Sequence, residues 1–104
     1  MRSIAISILA GALLGSVAES ANAQCAMEYA HNQGCGFGNF GDFAYQKNNS
    51  PNRTHKITST MRKNGNFFRN DTNTVSAGDR AVVGCTRGDG TDSYTFEIVG
   101  CEPR

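Results

Sequence analysis

The amino-acid sequence predicts an all-β fold: a small, disulfide-stapled β-sandwich of immunoglobulin-like or related topology with about five strands. Polar and apolar residues alternate in several short segments, a pattern typical of half-buried strands. Glycine and asparagine are abundant and tryptophan is absent, which favours short strands with tight turns over helices. The third observation is an even number of cysteines, namely Cys25, Cys35, Cys85 and Cys101.

Residues 1–23 have the features of a secretory signal peptide. Arg2 precedes a mostly apolar run at residues 4–17, and residues 21–23 (ANA) form a small-residue cleavage pattern before Gln24. The apolar run is short for a transmembrane span. We therefore expect a secreted or periplasmic protein with no membrane anchor after cleavage; the alternative is a retained N-terminal anchor helix.

The remaining chain is expected to form one domain in two parts. Residues 24–41 are predicted to be a loop-rich N-terminal segment, and residues 42–104 the core of the sandwich. The formal net charge is +1 and the basic residues are dispersed. Such a chain lacks the basic patch that attracts nucleic acid. The predicted partner is therefore an unknown protein or carbohydrate ligand.

The cysteine count predicts two disulfides, because a domain of this size is near the limit at which one hydrophobic core suffices. The alternative is a metal site built from Cys25, His31, Cys35 and His55. Structural zinc sites usually contain cysteine pairs separated by only two to four residues, which this chain lacks. We therefore expect neither a metal nor a cofactor.

The dipeptide at residues 64–65 (NG) predicts a two-residue hairpin turn between two strands. This turn fixes the expected register, in which Arg62 lies opposite Phe67 and Met61 opposite Phe68. Phe67 is then exposed beside Arg62, either as a cation–π contact or as part of a binding surface. The residues expected on the buried face are Ile57, Met61 and Phe68.

Residues 80–85 and 93–101 are rich in β-branched and aromatic side chains and flank a turn-forming segment, which predicts a second hairpin. If Thr86 pairs with Ser93, Val83 lies opposite Phe96 and the apolar residues share one face. Residues 87–92 are then the exposed tip. The residues expected on the buried face are Ala81, Val83, Tyr94, Phe96 and Ile98.

The predicted second hairpin constrains the disulfides. Cys85 and Cys101 would lie roughly seven rises of about 3.4 Å apart along the ribbon, whereas a disulfide needs Cα atoms within about 7 Å. Cys85–Cys101 and its complement Cys25–Cys35 are therefore disfavoured. The disulfides are expected to tie the N-terminal segment to the C-terminal hairpin, and either of the two remaining schemes would do so.

The favoured function is that of a small exported binding module without enzymatic activity, acting through loops or an exposed sheet face. The sequence lacks the nucleophile elbow, the zinc-protease helix motif and the phosphate loop of common enzymes. The fold class alone assigns no function. The residues proposed as a possible interaction surface are Arg62, Phe67, Arg87 and Asp89.

Two other functions are compatible with particular residues. A small nuclease-like hydrolase would use His31 and His55 as acid and base. An adhesion protein would act through residues 87–89 (RGD) at the hairpin tip, although turn chemistry alone explains this tripeptide. Calcium at Asp89 and Asp92 is a weak alternative, because calcium prefers six or more oxygen ligands.

Overall fold

A computed structural model describes residues 24–88 and 91–104, so the predicted signal peptide lies outside the described residues. The described part is an all-β fold of six strands joined by turns and one 3-10 turn at Phe37–Asn39. The predicted fold class is confirmed, with one strand more than expected. The strands are β1 (Cys25–Cys35), β2 (Gly41–Asn48), β3 (His55–Lys63), β4 (Asn66–Val75), β5 (Arg80–Cys85) and β6 (Tyr94–Pro103).

The strands form two antiparallel sheets. The first sheet has the order β1-β2-β5 and the second the order β4-β3-β6, so β2 and β3 are the central strands. The chain changes sheet between β2 and β3, between β4 and β5, and between β5 and β6. This order corresponds to strands A-B-E and C′-C-F of an immunoglobulin-like sandwich.

The prediction that residues 24–41 are loop-rich is wrong for most of the segment. β1 occupies Cys25–Cys35 and pairs with β2 from Cys25 to Ala30, after which the register shifts. Both ends of this strand are held by disulfides, Cys25 to Cys101 and Cys35 to Cys85. Tertiary constraints therefore impose extended structure on a segment whose local pattern favours no strand.

The turn from β2 to β3 is built around the buried side chain of Asn48. Its Nδ2 donates hydrogen bonds to the carbonyl oxygens of Arg53, at 2.7 Å, and Val75, at 2.8 Å. Its Oδ1 accepts a hydrogen bond from the backbone N–H of Ser50 at 2.9 Å. This side chain therefore fixes the path of the chain as it leaves the first sheet.

The β3–β4 hairpin turn is confirmed. Asn64 and Gly65 have φ angles of 50° and 88°, as a two-residue turn of this type requires. Arg62 lies opposite Phe67, as predicted. Phe67 is 65% exposed, so its predicted position on the outer face is also confirmed.

Beyond that pair the predicted register is wrong. A β-bulge shifts the ladder, so Met61 lies opposite Arg69 instead of Phe68. Phe68 becomes the extra residue and is 45% exposed, which corrects its assignment to the buried face. Its ring instead meets Tyr94 edge-on, with 5.6 Å between the ring centroids.

The predicted hairpin between β5 and β6 is also wrong, because the two strands lie in different sheets. β5 pairs with β2 and β6 with β3. Only the connecting segment retains cross-strand contacts, in which the Tyr94 N–H donates to the Thr86 carbonyl at 2.9 Å. Val83 is nevertheless buried, as predicted, but as the extra residue where the β2–β5 register shifts, and Phe96 lies on the inner side, where its ring faces Gly84.

The disulfides are Cys25–Cys101 and Cys35–Cys85, each with 6.0 Å between its Cα atoms. The rejection of Cys85–Cys101 and Cys25–Cys35 is confirmed, although the register that motivated it is wrong. Cys25–Cys101 joins an edge strand of one sheet to an edge strand of the other. Cys35–Cys85 instead joins the two outer strands of the first sheet, passing over Gly41 of β2.

The interior combines an apolar cluster with a buried polar cluster. Gln46 is fully buried, and its Nε2 donates to Ser59 Oγ at 2.9 Å and to the Asp71 carbonyl at 3.0 Å. Its Oε1 accepts a hydrogen bond from Asn73 Nδ2 at 2.9 Å. These bonds link β2 to β3 and β4 across the sandwich. The apolar cluster consists of Cys25, Ile57 and Val75, with Ala81, Ile98 and Cys101 packed against it.

Candidate functional site

Three of the four residues predicted as an interaction surface lie at one end of the sandwich, next to the β3–β4 turn. Arg62 and Phe67 flank that turn directly. Arg87 forms an isolated β-bridge with Ser93, whose carbonyl accepts a hydrogen bond from the Asn64 N–H at 2.8 Å. The fourth, Asp89, lies outside the described residues.

Arg62 and Phe67 belong to a larger surface on the outer side of the second sheet. Arg62 lies between Phe67 on β4 and Thr95 on β6, which forms one row across the three strands. Rows on one face of a sheet are about 7 Å apart, and neighbouring strands are about 4.8 Å apart. We call this surface the Phe67 face, and its members are Arg62, Phe67, Thr95, Thr60, Asn70 and Glu97.

The exposure of Phe67 is the feature that separates this face from an ordinary solvated sheet surface. A phenylalanine side chain usually hides most of its large apolar area, yet this ring is 65% exposed. The ring is carried by a strand, and the adjacent bulge gives Phe68 a different environment. Phe67 is therefore an exposed apolar ring among the polar members of the face.

Four polar members of the face contact one another in two pairs. Arg62 Nη1 lies 3.1 Å from Glu97 Oε1, and Thr60 Oγ1 donates to Asn70 Oδ1 at 2.7 Å. One cation and one anion leave the face neutral. Among the described residues, none accepts a hydrogen bond from the Asn70 amide nitrogen.

The suggested cation–π contact between Arg62 and Phe67 is replaced by other pairings. Arg62 is directed to Glu97, while the guanidinium of Arg69 lies over Phe68, 5.7 Å from its centroid. Sequence reasoning found Arg62 and Phe67 because a short hairpin fixes their pairing. It missed Glu97, because no local signal shows that β6 pairs with β3.

Arg87 is exposed but lies apart from the Phe67 face. Its backbone N–H donates to Cys85 Sγ at 3.5 Å, and its Cβ lies close to Gly41. Because Asp89 is not described, the adhesion tripeptide remains a sequence-based prediction.

The Asp92 carboxylate contacts two side chains near the β3–β4 turn. Its Oδ1 accepts a hydrogen bond from Asn64 Nδ2 at 3.0 Å, and its Oδ2 lies 3.6 Å from Lys63 Nζ. These contacts anchor the 86–93 connection to the β3–β4 turn. A carboxylate that already has a cation and an amide donor is a poor ligand for calcium.

The two histidines proposed for a nuclease lie near opposite ends of the sandwich. His31 is exposed near the end of β1, where its Nδ1 lies 2.8 Å from Asp42 Oδ2. His55 is buried at the start of β3, and its Nδ1 lies 3.3 Å from the Arg53 carbonyl oxygen. At about 3.4 Å per residue, β3 separates the two ends by roughly 27 Å. The geometry therefore does not bring this acid–base pair together.

All four cysteines are in disulfides, so no thiolate is available for the alternative metal site. Within residues 24–88 and 91–104, no three His, Cys, Asp or Glu side chains are grouped so that they could hold a metal ion. The same residues include no helix with the length and apolar character needed to cross a membrane.

Comparison with known proteins identifies no relative: no family model, curated protein or solved structure matches the chain. The class of protein is therefore defined by the fold and the surface alone. The chain is a small disulfide-stapled β-sandwich with an exposed aromatic ring on the outer face of one sheet.

Proposed function

We propose that the protein is an exported binding module without enzymatic activity, and that its ligand contacts the Phe67 face. The exposed ring of Phe67 is the observation that carries this proposal. Export is supported by the signal-peptide features of residues 1–23 and by the two disulfides, which persist in oxidising compartments. The paired cysteines also offer no thiol nucleophile.

Of the two ligand classes expected from the sequence, a carbohydrate fits the chemistry of the face better. A sugar ring has an apolar face that can lie on the Phe67 ring, and hydroxyls that can bond to Arg62, Glu97 and Asn70. Small-molecule sites combine aromatic contacts with a few placed polar groups. Protein interfaces instead concentrate affinity in clusters of large side chains in desolvated pockets.

The test is binding of the mature protein to an oligosaccharide array and to insoluble polysaccharides, followed by titration of each hit. Phe67→Ala should weaken binding at least tenfold. Val82→Ala is the matched control, because Val82 is 56% exposed on the other sheet. Failure to bind any carbohydrate, or equal losses in both variants, would contradict the proposal.

A further inference from the structure

β6 is an edge strand with one side unpaired. It hydrogen-bonds to β3 along its length, and the second sheet ends there. On its other side, only the first residue is engaged, because the Tyr94 N–H donates to the Thr86 carbonyl at 2.9 Å. Beyond Thr86 the chain leads into β5 of the opposite sheet. Among the described strands, none covers this side of β6 from Thr95 onward.

The pairing pattern identifies the backbone groups on the open side. The Asn64 N–H donates to the Ser93 carbonyl, so the backbone groups of Ser93 face β3. Alternate residues of an antiparallel strand face the same neighbour, so Thr95 faces β3 as well. Phe96 and Ile98 therefore direct their N–H and C=O groups to the open edge.

Apolar side chains under this edge are incompletely covered. Phe96 and Ile98 point into the sandwich but remain partly exposed, whereas the inward residues of central β3 from His55 to Met61 are at most 5% exposed. Across the gap, the Tyr29 ring of β1 lies 6.5 Å from the Phe96 ring, and burial raises the pKa of the Tyr29 phenol. In the immunoglobulin-like order, the strand after F lies beside this edge. A seventh strand there would cover these rings.

The charge on β6 distinguishes between possible occupants. A second copy pairing antiparallel through Phe96 and Ile98 would place two Glu97 side chains opposite each other, which is destabilising. Sliding the second copy along β6 does not remove this conflict. In one direction the edge is occupied at Tyr94 by Thr86, and in the other the bulge at Val99 interrupts the strand. Glu97 Oε1 already pairs with Arg62, but the Glu97 side chain remains 63% exposed. A different strand with a basic residue beside Glu97 therefore has no such conflict.

We propose that the free edge of β6 accepts an extended segment of a partner protein as a seventh strand. Its apolar side chains would alternate with basic ones, the apolar set lying over Phe96, Ile98 and Tyr29 and a basic one beside Glu97. Strand addition of this kind obtains affinity from main-chain hydrogen bonds and specificity from alternate side chains. This site uses the backbone edge of β6, not the Phe67 ring, and shares only Glu97 with the carbohydrate contact proposed for the Phe67 face.

The probe is the peptide acetyl-KVKVKVK-amide, titrated into the folded protein by NMR. Residues opposite each other in antiparallel strands share a face, so the valines should lie opposite Phe96 and Ile98. Their backbone N–H and C=O groups should then form hydrogen bonds with the backbone of Phe96 and Ile98. N-methylation of the valines should weaken binding at least tenfold, while the matched peptide with N-methylated lysines should bind as the parent does. Amide exchange at Phe96 and Ile98 should slow in the complex.

Reversal of the charge on β6 provides the second arm. The Glu97→Lys variant should no longer bind the lysine peptide and should bind acetyl-EVEVEVE-amide instead. The Glu102→Lys variant, whose substitution lies beyond the bulge, should still prefer the lysine peptide. The proposal is overturned if no peptide binds at millimolar concentration, or if N-methylation has the same effect at both sets of positions. Self-association of the protein without peptide, accompanied by slowed amide exchange at Phe96 and Ile98, would also overturn it, in favour of a second copy.

Discussion

Gly41 is required because the Cys35–Cys85 disulfide passes directly over it. A Cβ at this position would lie 2.5 Å from Cys85 Sγ and 2.8 Å from the Cys35 carbonyl oxygen. Neither neighbour can move freely, because both belong to the disulfide-linked residues. The sequence alone gives no sign of this close approach, since Gly41 is one of many glycines in its region.

Gly41→Ala should lower the free energy of unfolding more than Gly65→Ala. In the control, Gly65→Ala, the new Cβ has no atom within 4 Å, and the only cost is that of holding alanine at a positive φ angle, about 1 to 2 kcal/mol. Gly41→Ala adds a steric conflict and should also leave a fraction of Cys35 and Cys85 as free thiols. Denaturant unfolding and thiol titration would measure both effects, and equal losses with no free thiol would contradict the assignment.

Gln46 illustrates a core residue that sequence patterns assign to the wrong side. In β2, the aromatic residues Phe43 and Tyr45 alternate with Ala44 and Gln46, so hydrophobicity favours burial of the aromatics. The inner positions instead hold Ala44 and Gln46, which are both fully buried. Three hydrogen bonds compensate the desolvation of the amide, and their partners lie on β3 and β4.

Gln46→Leu should destabilise the fold by about 2 to 3 kcal/mol, because it removes the partner of the buried Ser59 hydroxyl and of two partly buried groups, the Asp71 carbonyl and the Asn73 amide. Thr72→Val is the matched control, since it breaks the exposed hydrogen bond between Thr72 and Thr58, where water can substitute. Its cost should stay below about 1 kcal/mol. Chemical denaturation measures both variants. A Gln46→Leu protein as stable as the control would show that the cluster is not structural.

At the level of elements, local signals succeeded where the pairing is local. The NG turn correctly located β3, β4 and the Arg62–Phe67 pair. The same reasoning failed for β5 and β6, because alternation shows which side of a strand faces the core but not which strand lies beside it. Glu97 was therefore missing from the predicted site.

The two disulfides should differ in their contributions to stability. Closing loops of 76 and 50 residues corresponds to about 4.5 and 4 kcal/mol in the chain-entropy model. Cys25 is also 2% exposed and part of the apolar cluster, so its removal leaves a cavity. The double variant Cys25→Ala/Cys101→Ala should therefore be less stable than Cys35→Ala/Cys85→Ala. Thermal unfolding measures both variants. A lower melting temperature for Cys35→Ala/Cys85→Ala would contradict this order of stability.

At the level of the whole molecule, the sequence predicted a disulfide-stapled sandwich but not the assignment of strands to sheets. Strand order depends on contacts between residues far apart in the chain, such as Tyr45 with Val82 and Met61 with Phe96. The open edge of β6 and the completed Phe67 face both follow from these pairings. Their functional interpretation therefore depends on the same topology.

Backbone NOE spectroscopy of the isotopically labelled, oxidised protein tests that topology most directly. In the observed arrangement, Met61 and Phe96 form a pair that is not hydrogen-bonded, so their Hα atoms should be close enough for a strong NOE. Cross-strand backbone NOEs should also connect Tyr45 with Val82. Cross-strand backbone NOEs between Val83 and Phe96 would instead mean that β5 and β6 form one hairpin, and would contradict the sandwich described above.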